Sequence, residues 1–114
     1  MLMSEGRAAT DRAERYLAQL CQHADRASHQ GLHRHRQHGT AHPRVHVVRR
    51  TGTTGDLVFG ETTCGIEATA EGLILRIQAT DLASLQRVRA VVSARLERFG
   101  RRDGLTVAWT ETPE

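Results

Sequence analysis

Two cysteines, Cys21 and Cys64, are the first residues in this chain whose type invites a chemical reading. The thiolate is both a nucleophile and a soft-metal ligand, so two thiols brought together could bind an ion or switch redox state. A free cysteine packed as a small apolar side chain does neither, and that reading competes with the first. His23 is a further candidate ligand. Residues two apart on a helix point about 200° apart, however, so Cys21 and His23 could share an ion only where the helix breaks. A second group is His29, His33, His35, His38, His42 and His46, all within eighteen residues. Neutral imidazoles suit zinc, nickel and copper, and a loop site would draw on His33, His35 and His38. Arg34, Arg36 and Arg44 stand among them and oppose a cation, and the loop holds no carboxylate or thiol, so such a site would be open and pH-sensitive. A third group, Arg98, Arg101 and Arg102, could meet an anionic partner, although arginine also complements the dipole at a helix C-terminus. The chain has no nucleophile elbow, glycine-rich phosphate loop, HExxH or paired carboxylates beside a base, which argues against an enzyme. No catalytic residue is assigned, and the only cofactor suggested is a transition-metal ion.

These residues depend on elements that the pattern of the chain outlines, above all between Thr63 and Trp109. A two-residue turn at Glu71-Gly72 predicts a hairpin in which Ala70 faces Leu73, Ala68 faces Leu75, Ile66 faces Ile77 and Cys64 faces Ala79, all on one side. The same register sets Glu67 opposite Arg76 on the other side. From Asp81 the period becomes helical, with Leu82, Leu85, Val88, Val92, Leu96 and Phe99 on one stripe. Asp81 is placed to cap this helix, and Gly100 to end it in a left-handed conformation. Asp103-Gly104 then turns into a strand, Leu105 to Trp109, with Leu105, Val107 and Trp109 on one face.

Upstream, Thr10 or Asp11 can cap a first helix carrying Ala13, Tyr16, Leu17, Leu20, Ala24 and Ala27 on its buried stripe. Residues 1–9 are expected to form a flexible tail, and residues 29–43 a histidine- and arginine-rich loop broken by Gly31, Gly39 and Pro43. Val45 to Arg49 and Asp56 to Phe59 read as strands separated by a Gly/Thr turn. The order predicts a single α+β domain over 1–114: a two-layer sandwich, with a four- to five-stranded, mostly antiparallel sheet and both helices on one face.

Composition narrows the class. At 114 residues the chain can bury one core. No apolar run approaches the roughly 20 residues of a membrane span, and Met1-Leu2-Met3-Ser4 does not resemble a signal peptide, so a cytoplasmic protein with reduced thiols is expected. All 16 basic residues are arginine, but the net charge is only +3 and aromatics are 4%, with the arginines scattered. Nucleic-acid binding, which needs cations concentrated on one face, is disfavoured.

The run Arg15-Tyr16-Leu17-Ala18-Gln19-Leu20-Cys21-Gln22-His23, together with Thr63-Cys64 and Leu96-Glu97-Arg98-Phe99 before Leu105-Thr106-Val107-Ala108-Trp109, resembles the bacterial domain of unknown function family with serial number 2218. The resemblance spans nearly the whole chain outside the tails and the histidine loop. It implies a small bacterial domain with no established activity. Similar domains occur appended to flavin-dependent siderophore-interacting proteins, which implies a link to iron metabolism and such a flavoprotein as partner. Where the family pattern carries a histidine, this chain has Arg95, which weakens any metal role for that position.

Two functions from different classes are therefore expected. One is a non-enzymatic binding module for a metal ion or an iron- or siderophore-related ligand. The other is a structural or protein-interaction module, acting on a partner or as a homodimer through the sheet face that helices leave open, where Glu67, Ile74, Arg76 and Gln78 would lie.

Overall fold

A computed structural model describes the backbone of residues 2–33 and 45–112 and the side chains of residues 2–24, 47 and 49–110. Six strands and two helices follow in the order β1 (Leu2–Ala9), α1 (Ala13–His33), β2 (Val45–Arg50), β3 (Thr54–Phe59), β4 (Thr62–Ala68), β5 (Gly72–Ala79), α2 (Leu82–Phe99) and β6 (Ala108–Thr112). The strands form one antiparallel sheet in the order β2-β3-β4-β5-β1-β6. Buried residues of both helices join one sheet face in a single core, so the α+β two-layer sandwich holds, with six strands where four to five were expected.

The added strand is β1. Residues 2–9 are no flexible tail: they pair with β5 over Leu2 to Ala9 and with β6 over Met3 to Arg7. The core side of β1 carries Ser4, Gly6 and Ala8, all buried but small, so the alternation that marks a strand has no bulky apolar residue to display it. Smallness is required there, because the Trp109 ring lies across Gly6 and a Cβ on that glycine would come 2.7 Å from Trp109 Cε3.

The hidden strand also accounts for a shift in the β4–β5 hairpin. Ala68 faces Leu73, Ile66 faces Leu75 and Cys64 faces Ile77, two residues away from the expected register. The turn residues are Ala70-Glu71, closed by Thr69 N–H to Gly72 O at 2.8 Å and Gly72 N–H to Thr69 O at 3.3 Å. Gly72 is not in the turn; it opens β5 where β1 passes so close that a Cβ would lie 2.1 Å from the Ala8 carbonyl oxygen. Because side chains alternate with a period of two, an even slip leaves each strand's faces unchanged, and Cys64, Ile66, Leu73, Leu75, Ile77 and Ala79 are all buried. Ala70 leaves the core face for the exposed turn.

α2 follows its sequence signals closely. Asp81 Oδ1 accepts from Ser84 N–H at 2.7 Å, and Leu85, Val88, Val92 and Leu96 are buried. Leu82, expected on the same stripe, is 51% exposed in the first turn. Gly100 is not left-handed (φ −102°). A Cβ there would meet Leu105 Cβ at 2.5 Å, so what it supplies is close approach, and the left-handed residue is Gly104 (φ 67°), closing a 3-10 turn over Arg101–Asp103. Leu105 is buried beneath that turn, and the last strand begins at Ala108 rather than Leu105.

α1 opens with Arg12 N–H bonded to Thr10 Oγ1 at 3.0 Å and buries Ala13, Tyr16, Leu17, Leu20, Cys21 and Ala24. It continues as helix through residues 29–33, which were assigned to the loop; residues 34–43 of that loop lie outside the described residues.

Candidate functional site between the helices

Both thiols are residues of the hydrophobic core. Cys21 sits in a notch of α1 over β3, its Sγ only 2.9 Å from where a Cβ on Gly55 would be. Cys64 lies on the core face of β4, between Leu57 of β3 and Ile77 of β5. Both are fully buried and neither is in a disulfide. Burial, followed by the nearby charge of Asp56 and the influence of Cys21, pushes the Cys64 thiol up to about 12. A thiol held protonated at neutral pH is neither a good ligand nor a nucleophile. Among the described residues no three His, Cys, Asp or Glu side chains are grouped to hold a metal ion. His23 meets Phe99 of α2 edge to face, with ring centroids 6.0 Å apart. Cys21, Cys64 and His23 thus form no common site. His29 and His33 are on the helical backbone of α1, His46 is in β2, and the side chains of all three, like all of His35, His38 and His42, lie outside the described residues.

The arginines at the end of α2 are exposed, as expected. Arg101 and Arg102 flank Asp103, whose Oδ2 accepts from the Tyr16 hydroxyl and lies 3.7 Å from Arg12 Nη1. The bond to Asp103 first, then burial, raises the Tyr16 pKa above its ordinary value. This contact ties the start of α1 to the turn after α2, and so fixes how far the helices stand apart at that end.

Further along, the helices leave a hollow of about 90 Å³ between them. Its floor is apolar: Leu20 and Ala24 of α1, Leu57 and Phe59 of β3, and Val92 of α2. His23 and Arg95 stand on opposite helices at its sides, and Val91 is 41% exposed at its mouth. The described residues of the lining include no carboxylate. Arg95 forms no ion pair or hydrogen bond among the described residues. Gln19, between Tyr16 and His23 on the side of α1 turned to α2, has its Oε1 buried without a hydrogen-bond partner among the described residues. Two larger hollows, of about 230 and 390 Å³, open at the end of the sheet beside the β4–β5 turn, one lined by Arg7, Ala8 and Glu71 and the other by Asp11, Arg12 and Glu14. The first also has Leu73 and Ile74 in its wall, but each of the two carries carboxylates beside its arginines, Glu71 in the first and Asp11 and Glu14 in the second. The interhelical hollow escaped the sequence reading because its floor residues are, one by one, ordinary core positions. Arg95 could be seen only as a departure from a family pattern. The available signal was two helical stripes meeting over Phe59.

An α+β two-layer sandwich with a basic-sided pocket between its helices is the class these features define. The chain belongs to a bacterial family whose members are described as uncharacterized proteins conserved in bacteria (DUF2218), matched over residues 5–110. That match starts inside β1, which makes the first strand part of the family domain. The fold is similar to that of PA4090 from Pseudomonas aeruginosa, solved by NMR, with 24% identity, a TM-score of 0.64 and 96% of each chain covered. None of the curated proteins matches this sequence.

Proposed function

We propose that this protein is a non-enzymatic binding module whose ligand seats between α1 and α2. The observation that carries the reading is the apolar hollow with Arg95, unpaired among the described residues, at its side. Concave apolar sites with a few convergent polar groups are the usual form of small-molecule sites, and a guanidinium beside hydrocarbon is a specific recognition element. Cys64 and Tyr16, whose pKa values are raised, line no part of the hollow.

Metal and iron-related ligands have less support, since they depended on thiols and histidines that do not converge among the described residues. An interaction module on the open sheet face also has less support. There Arg76 lies between Glu5 (3.5 Å) and Glu67 (3.6 Å), and Glu5 also pairs with Arg7 (2.9 Å), so the charges of that face answer one another. An antiparallel sheet commonly leaves such a face to water.

The test is a screen of small fragments of mixed charge against the 15N-labelled chain. Saturable shifts clustered at residues 20–24 and 91–95 are expected. Shifts confined to the sheet face, or an equimolar transition metal in elemental mass spectrometry of untagged protein, would replace this reading with one of the others.

A further inference from the structure

Resting on the interhelical reading, we infer that the ligand is a small monocarboxylate with a compact hydrocarbon body. Size sets the first limit. An engineered cavity of about 150 Å³ admits benzene, so a hollow of about 90 Å³ takes a smaller group, roughly three to five carbons. Leu20, Ala24, Phe59 and Val92 offer that group only carbon contacts.

Charge sets the second limit. Among the described residues Arg95 is the one arginine in the lining, and no carboxylate lines it. Elsewhere on the protein Asp103 meets Arg12, and Glu5 and Glu67 meet Arg76, whereas Arg95 has no such partner among the described residues. Along α2 the nearest acid to Arg95 is Glu97, two residues away and about 160° round the helix, and along the described side chains of α1 the nearest acid to His23 is Glu14, nine residues away and about 180° round. An anion entering the groove therefore meets no like charge among the described residues that line it.

The donor inventory sets the third. The hollow lies against the middle of both helices, where backbone N–H groups are already committed to helical hydrogen bonds, so no helix N-terminus adds donors there. One guanidinium with its paired N–H groups matches one carboxylate, whereas a phosphate dianion would leave oxygens unanswered. The imidazole of His23 forms the opposite wall.

Three isosteric probes separate the possibilities on the full chain: isovalerate, isoamyl alcohol and isoamylamine, each titrated into 15N-labelled protein. Isovalerate is expected to shift the amides of residues 20–24 and 91–95 saturably, the alcohol at least about tenfold more weakly, and the amine not at all. Arg95→Met, which keeps the aliphatic stem, should reduce isovalerate binding to the level of the alcohol, while Arg98→Met should leave it unchanged. Equal binding of acid and alcohol, or an unaltered titration in Arg95→Met with a native-like spectrum, would overturn the carboxylate inference and leave the pocket reading intact. No saturable shift at these amides with any probe would overturn both.

Discussion

Trp109 lies flat across Gly6, its directly paired neighbour on β1, and is held there by a 2.7 Å hydrogen bond from Nε1 to Ser93 Oγ on α2. The glycine makes room for the ring, and the ring ties the edge strand β6 to the helix layer. Gly6→Ala would drive a Cβ to 2.7 Å from a ring with little freedom to move. Overpacking of this kind costs about 1 to 3 kcal/mol. Gly52→Ala, where nothing lies within 4 Å, should stay within about 0.5 kcal/mol of the parent. Denaturant melts of the two variants check this, and equal stabilities would mean that the ring does not occupy the place described.

Removal of residues 1–9 follows from the same contact. β1 lies between β5 and β6, so its loss strips both neighbours of their partner and leaves β6 with none. Unpaired backbone groups over a buried face cannot be offset by the remaining core. The truncated chain is expected to show no cooperative thermal transition by circular dichroism. A native-like melt would restore these residues to the status of a tail.

What could be read in advance was what local chemistry announces. α2 carries its cap at Asp81, its stripe and its terminal glycine in one stretch, and β4 and β5 display bulky alternating residues. β1 displays none, because Ser4, Gly6 and Ala8 must be small to sit under Trp109 and beside β5. The β4–β5 register depended on that hidden strand, since Gly72 answers the approach of Ala8 rather than the demands of the turn. In the same way Gly100 answers Leu105. At the site, the inward position of Cys64 was legible from alternation, but the state of its thiol was not, because burial, Asp56 and Cys21 act through space. The interhelical hollow was beyond reach for a related reason: it exists only once the spacing of two helices, fixed in part by Tyr16 and Asp103, is known.

The faces of α2 make a three-way test. Leu96 is fully buried and Leu96→Ala should cost roughly 2 to 5 kcal/mol through lost apolar contact and the cavity left behind. Arg87 is exposed, and Arg87→Ala should remain within about 0.5 kcal/mol. Leu82 discriminates between stripe and structure: at 51% exposure Leu82→Ala should cost less than about 1 kcal/mol, far below Leu96→Ala. Urea midpoints converted at constant slope provide the measurement, and a Leu82 loss equal to that of Leu96 would place the first turn of α2 in the core.

Cys64 makes stability depend on alkaline pH. Its thiol stays protonated in the fold up to about 12, whereas in the unfolded chain it titrates near its ordinary value of 9.0. Below pH 9 both states hold the proton and the thiol adds no pH dependence. Above 9 the unfolded state releases its proton first, so the equilibrium moves toward unfolding until the folded thiol ionises near 12. Between pH 9 and 10 the loss is about 1 kcal/mol for this one group, given 1.36 kcal/mol per unit at full slope. Tyr16, also raised, acts in the same direction at still higher pH, so the parent curve alone does not isolate Cys64. Cys64→Ala removes the group: its stability at pH 8 should fall through lost packing, yet the further loss from pH 9 to 10 should shrink by about 1 kcal/mol relative to the parent. Iodoacetamide at pH 8 should leave both cysteines unmodified in the folded protein and alkylate both in denaturant, read by intact mass. Parallel pH curves for parent and variant, or rapid alkylation of the folded chain, would show that Cys64 is not sealed in the core.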